Sequence, residues 1–186
     1  TGPDYHGYYG YDDADIGYQE RPVYNWVEID PGQGGSGTRV ELGNDQAVPV
    51  DLPFAFRFYG TDYRTISIAD NGYIAMGSTN FSDQYNWHIP SAQGPDGLIA
   101  VFWDDFRADT LGAPGVFYYY DEPNHRFIVE WSRVYHIHGF RRPYIGEQQT
   151  FQAILFDPAY HPTKTGDGAV VFQYLFVQND DSLWGN

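Results

Sequence analysis

Along most of this chain apolar and polar residues alternate with a period of two, which predicts half-buried strands and not helices. The clearest case is 54–59, where Phe54, Phe56 and Phe58 share one face and Ala55, Arg57 and Tyr59 the other. Residues 63–69 repeat the pattern, with Ile66 and Ile68 opposite Thr65 and Ser67. Asp70-Asn71-Gly72 supplies a hairpin turn into a strand at 73–76, because Asn and Gly tolerate positive φ. Further strands are expected at 38–42, 47–52, 98–103, 116–120, 127–134, 150–156 and 169–177. Residues 23–29 read as another, with Val23, Asn25, Val27 and Ile29 on one face. Many short strands, regular turns and no amphipathic helix predict an all-β fold, an antiparallel β-sandwich or jelly-roll-like barrel.

Composition narrows the partners. Aromatic residues make up 19% of the chain (17 Tyr, 13 Phe and 5 Trp), a load that suits pleated sheets and not a helix bundle. Ten basic residues against 25 acidic ones give a net charge of −15, with Lys164 the only lysine. Nucleic acid is therefore not an expected partner, since nothing could neutralise its phosphates. Membrane insertion is not expected either, because no apolar run approaches the roughly 20 residues a spanning helix needs. Without cysteine there is no disulfide, thiol nucleophile or thiolate metal site. A start at Thr1 with no signal-like segment reads as a processed or trimmed secreted protein. Low lysine, high tyrosine and net acidity fit an extracellular bacterial surface.

The chain divides into an arm, residues 1–20, and a strand-rich body, residues 21–186. The arm interleaves Tyr5, Tyr8, Tyr9 and Tyr11 with glycines, then turns acidic at Asp12, Asp13 and Asp15. Alone, it cannot bury enough surface to offset its ordering entropy. The acidic cluster reads as a solvated stretch. Residues 78–97 form a long polar loop, a length that signals either function or packing by the loop's own aromatics.

No constellation of catalytic residues emerges, so no enzymatic activity and no cofactor are expected. Asp104-Asp105, at a strand end, could hold calcium through carboxylate oxygens or could cap backbone N–H groups. His136 and His138 would share one strand face as a pair of metal ligands, but no third ligand accompanies them. Ser132 lies mid-strand, outside any nucleophile elbow. Asn80-Phe81-Ser82 fits the short N-glycosylation pattern. Tyr85, Trp87 and Tyr144 could stack on a glycan or could cover the ends of the sandwich.

Several stretches of the body taken together carry a resemblance. They are Leu52-Pro53-Phe54-Ala55-Phe56-Arg57-Phe58-Tyr59-Gly60, Ile68-Ala69-Asp70-Asn71-Gly72-Tyr73-Ile74-Ala75-Met76-Gly77, Ile89-Pro90-Ser91-Ala92 and Phe102-Trp103-Asp104-Asp105. Phe117-Tyr118-Tyr119-Tyr120-Asp121, Arg126-Phe127-Ile128-Val129-Glu130-Trp131 and Val171-Phe172-Gln173-Tyr174 complete the set. In this order they resemble a β-sandwich module of bacterial extracellular proteins, found beside secreted peptidases and surface-sorting domains and distantly nidogen-like. The resemblance implies no catalytic residues. It does imply one more strand after 169–177, which this sequence does not supply. Either residues follow 186 or a neighbouring chain provides that strand. The second option resembles, in architecture, a donor-strand-complemented filament subunit.

The expected function is therefore a structural subunit of a secreted bacterial filament, a helical homopolymer. Tyr5, Tyr8, Tyr9, Tyr11 and Ile16 of one arm would enter the open sandwich of another copy. The alternative is a carbohydrate- or surface-binding module of a larger secreted protein.

Overall fold

The computed structural model describes residues 1–108, 115–136 and 148–178. Within them two antiparallel sheets pack face to face. The smaller sheet is made of β2 (Ala47–Phe58), β3 (Thr61–Ala69), β4 (Tyr73–Met76) and β5 (Leu98–Ala100), paired in that order. The larger runs from β1 (Thr38–Val40) through β7 (Gly115–Asp121), β8 (Arg126–His136) and β9 (Gln148–Phe156) to β10 (Val170–Phe176). A two-residue strand, β6 (Phe106–Arg107), pairs with the end of β8.

The alternation read from the sequence builds the core. Phe54, Phe56 and Phe58 of β2 and Ile66 and Ile68 of β3 point inward and are buried. From the facing sheet come Val129, Trp131, Phe151, Ala153 and Leu155. Trp131 lies parallel to Phe151, ring centroids 5.1 Å apart, and its indole N–H donates to the Ala69 carbonyl of the other sheet at 2.8 Å. A buried indole thus has its one polar atom satisfied, and the two sheets are stitched at their centre. The turn at Gly72 needs its glycine twice over. Its φ is +77°, and an added Cβ would collide with the Phe102 carbonyl.

The all-β antiparallel sandwich expected from the sequence is what forms, with two sheets that do not close into a barrel. Two other expectations are corrected. The segments 47–52 and 54–59 form one strand, β2, because its pairing with β3 resumes beyond an irregularity between Asp51 and Phe56 that absorbs Pro53. Residues 23–29 form no strand: they cross the outer face of the larger sheet as an extended strap. The expected face still holds for Val27 and Ile29, which pack against Phe117, Ile128 and Ile154.

Candidate assembly interface

β10 ends the larger sheet and pairs, among the described residues, with β9 alone. As far as Tyr174 its even-numbered residues face the sandwich interior: Val170 joins the core cluster, and the Tyr174 ring lies 6.5 Å from that of Phe151, whereas beyond a register shift Phe176 stands opposite Thr150 on the outer face. The Tyr174 hydroxyl donates to the Val101 carbonyl, just past β5, at 2.7 Å. Yet Phe172 and Tyr174 are 39% and 45% exposed. Rings that point inward but remain this open mark an unfilled rim between the two sheets.

The other edges are blunted in ways familiar from natural sheets. β1 and β5 have three residues each, and β2 carries Pro49, Pro53 and its irregularity. β10 has seven residues, none of them charged and none proline, although its pairing with β9 shifts between Tyr174 and Phe176.

The strap fixes the other face of β10. Glu130, Gln152 and Gln173 pair in register across β8, β9 and β10 and form a buried polar row on the outer face. Gln173 accepts the Asn25 N–H at 2.6 Å and donates to the Asn25 carbonyl at 3.0 Å. It donates also to Gln152 Oε1 at 3.0 Å, while Gln152 donates to the Val27 carbonyl at 3.1 Å. Ile29 N–H donates to Glu130 Oε2 at 3.1 Å. The strap lacks a partner strand, so these side chains satisfy its buried backbone. At its end Asp30 accepts from Ser132 Oγ and Arg133 Nη2, both at 2.8 Å, which gives Ser132 a structural role. Arg133 sits at φ +55° where the pairing of β8 with β9 shifts. Glu130 Oε1 is buried without a hydrogen-bond partner, and burial, then the nearby Glu28 charge, push this carboxyl up to about 8.

The arm meets its own sandwich near the start of β10. Tyr8 packs against Phe58 and Tyr59, ring centroids 5.7 and 5.0 Å away, and its hydroxyl donates to the Gly168 carbonyl at 3.4 Å. Tyr59 donates to Asp4 Oδ2 at 2.7 Å, and this bond holds the Asp4 carboxyl below its ordinary value. Residues 1–10 curl on themselves through bonds such as Gly10 N–H to the Thr1 carbonyl at 2.8 Å. Tyr5 and Ile16 stay 100% and 81% exposed; Tyr9 is exposed as well and stacks on Tyr11 at 6.1 Å. Asp12 and Asp15 bond to nearby backbone amides in a solvated stretch.

The remaining candidates lie apart from this edge. Tyr85 and Trp87 are exposed on the long loop, both tied to Asp83, with ring planes 63° apart. The loop's first residues are anchored by aromatics beneath them: Tyr73 donates to the Phe81 carbonyl and Trp103 to that of Asp83, both at 2.8 Å. Asp104 Oδ1 accepts the Asp105 N–H at 2.8 Å, the capping arrangement, and lies 3.0 Å from His136 Nε2. Asp105 is raised to about 6, chiefly by burial. Among the described residues no group of three or more metal-binding side chains could hold an ion. Tyr144 and His138 lie outside the described residues.

Sequence reading missed the polar row and the Tyr8 seat. A signal for the row existed: Glu130, Gln152 and Gln173 each interrupt an apolar run in mid-strand. Nothing local marked Tyr59 or Gly168 as a seat for the arm.

A family model described as NIDO related matches residues 23–174, from the strap to the inward-facing Tyr174 of β10. No curated protein and no solved structure matches the chain. No helix among the described residues is long and apolar enough to cross a membrane.

Proposed function

We propose that this chain, which belongs to the NIDO-related family, works outside the cell as a structural subunit that polymerises by strand addition. Its partner is another copy of itself, whose N-terminal arm lies along the free edge of β10. The chain performs no catalysis in this role. One observation carries the reading: Phe172 and Tyr174 face the core yet stand open on an uncharged, proline-free strand that pairs, among the described residues, on one side alone. Such an edge is an aggregation hazard unless something covers it. Backbone pairing would supply affinity there, and the rim between the sheets would supply side-chain pockets.

The arm has the complementary character. Extended, residues 5–11 put Tyr5, Gly7, Tyr9 and Tyr11 on one face. Within a single chain Tyr5, Tyr9 and Ile16 remain exposed, so their apolar surface is left for a neighbour. An arm-to-edge contact is head-to-tail, and head-to-tail contacts that do not close build filaments. Electron microscopy of the purified chain with and without residues 1–20 tests the reading. Filaments that vanish on deletion are expected; monomers in both samples would overturn it.

A second reading rests on the exposed pair Tyr85 and Trp87, which offer two ring faces to a sugar. Glycan-array binding lost in Trp87→Ala would establish it, and an array without signal would remove it.

A further inference from the structure

We infer that the seat now holding Tyr8 is exchanged between copies: in the assembled state each sandwich takes a neighbour's Tyr8 between Phe58, Tyr59 and Gly168. The contact within one chain is then the closed form of the monomer. This rests on the arm-mediated assembly proposed above and identifies where the arm is received.

The seat belongs to the body and does not need the arm to exist. Gly168 N–H donates to the Arg57 carbonyl at 2.7 Å, and Gly60 N–H donates to Asp167 Oδ1 at 2.7 Å. These bonds join the turn after β2 to the turn before β10. A Cβ at Gly168 would collide with the Phe56 ring, so the close approach that presents this carbonyl to Tyr8 requires glycine.

The arm, by contrast, is joined loosely. Among the described residues, the hydrogen bonds and ring contacts between arm and body run through Asp4, His6 and Tyr8. Beyond them the arm bonds to itself and to the adjoining Arg21, as in Tyr11 against Tyr18 and Arg21 Nη1 donating to the Asp13 carbonyl. Residues 12–20 contain no regular element, and Gly17 has open space where a side chain would be. They can therefore serve as a hinge.

Exchange makes the same contacts in trans as in cis, so the seat itself is neutral between the two forms. The tether favours the closed form at low protein concentration, because a short linker gives the arm a high effective concentration. The free edge tips the balance the other way. Gly168 lies two residues before β10, so an arm seated by Tyr8 is delivered to the start of that edge.

The test uses two full-length variants. Tyr8→Ala has a seat and no key; Tyr59→Asp keeps its Tyr8 but sets a carboxylate against Asp4 and spoils the seat. Light scattering after size exclusion should find each variant monomeric alone, with circular dichroism melts verifying that both are folded. Their equimolar mixture should give a one-to-one dimer, twice the monomer mass and no longer, since only one productive arm and seat remain. If the mixture stays monomeric while wild type polymerises, or if Tyr8→Ala polymerises like wild type, the exchange is wrong and arm-mediated assembly stands. If wild type never polymerises, the assembly reading fails and the exchange with it.

Discussion

Gln173 grips the peptide of Asn25 from both sides, accepting its N–H at 2.6 Å and donating to its carbonyl at 3.0 Å. A side-chain amide here does what a neighbouring strand would otherwise do for the backbone of the strap. The same residue sits in β10, so the strap and the proposed acceptor edge are held in register by one side chain. Replacing it by Leu removes both bonds and leaves Gln152 and Asn25 with unpaired buried groups. We expect Gln173→Leu to cost at least about 2 kcal/mol in urea unfolding, with loss of exchange protection at the strap amides.

Glu130 lies in the same row and makes stability depend on pH. Its carboxyl is held at about 8 in the fold by burial, against an ordinary value of 4.5. Between those values the unfolded chain has lost the proton and the folded chain keeps it, so stability falls as pH rises. Asp70 and Asp105, raised to about 7 and about 6 chiefly by burial, act in the same direction. Thermal melts from pH 4 to pH 9 should therefore decline with pH as far as these groups contribute. Glu130→Gln, which can still accept the Ile29 N–H, should flatten the upper part of that decline and melt higher than wild type at pH 8.

Gly168 tests the seat and the core together. An Ala side chain there would strike the Phe56 ring at the centre of the sandwich. Gly168→Ala should destabilise the monomer by about 1–3 kcal/mol, the usual cost of overpacking, as read by denaturant midpoint. An unchanged midpoint would mean that the turn before β10 moves freely, contrary to its bonds with Arg57 and Thr163.

Phe172 separates assembly from folding. It points inward but is partly exposed, so Phe172→Asp should change monomer stability by no more than about 1–2 kcal/mol. A charge at the rim of a strand edge opposes strand addition. Sedimentation of the variant should find loss of polymer with a folded monomer retained; polymer at wild-type levels would place the contact elsewhere.

Much of the sandwich was legible because one physical rule governed it. Where one face of a strand is buried against the other sheet, alternation is written into the sequence, as at Phe54, Phe56 and Phe58. Residues 23–29 carry the same alternation, and there the rule misled. An extended chain crossing a sheet also buries every second residue, so Val27 and Ile29 read as strand although side chains satisfy their backbone. Long-range placement was the illegible part. The Tyr8 seat brings Tyr8 to Gly168, 160 positions away, and to Tyr59, about fifty away, and no local pattern encodes such a meeting. That β10 is an edge among the described residues was not legible either, because Phe172 and Tyr174 had to be placed in space to identify it.

Cryo-electron microscopy of the polymer tests the central claim most directly. The account predicts an extended segment of a neighbouring copy hydrogen-bonded along β10, with Phe172 and Tyr174 buried beneath it. A polymer whose β10 edge is bare, or covered by the subunit's own chain, would contradict it.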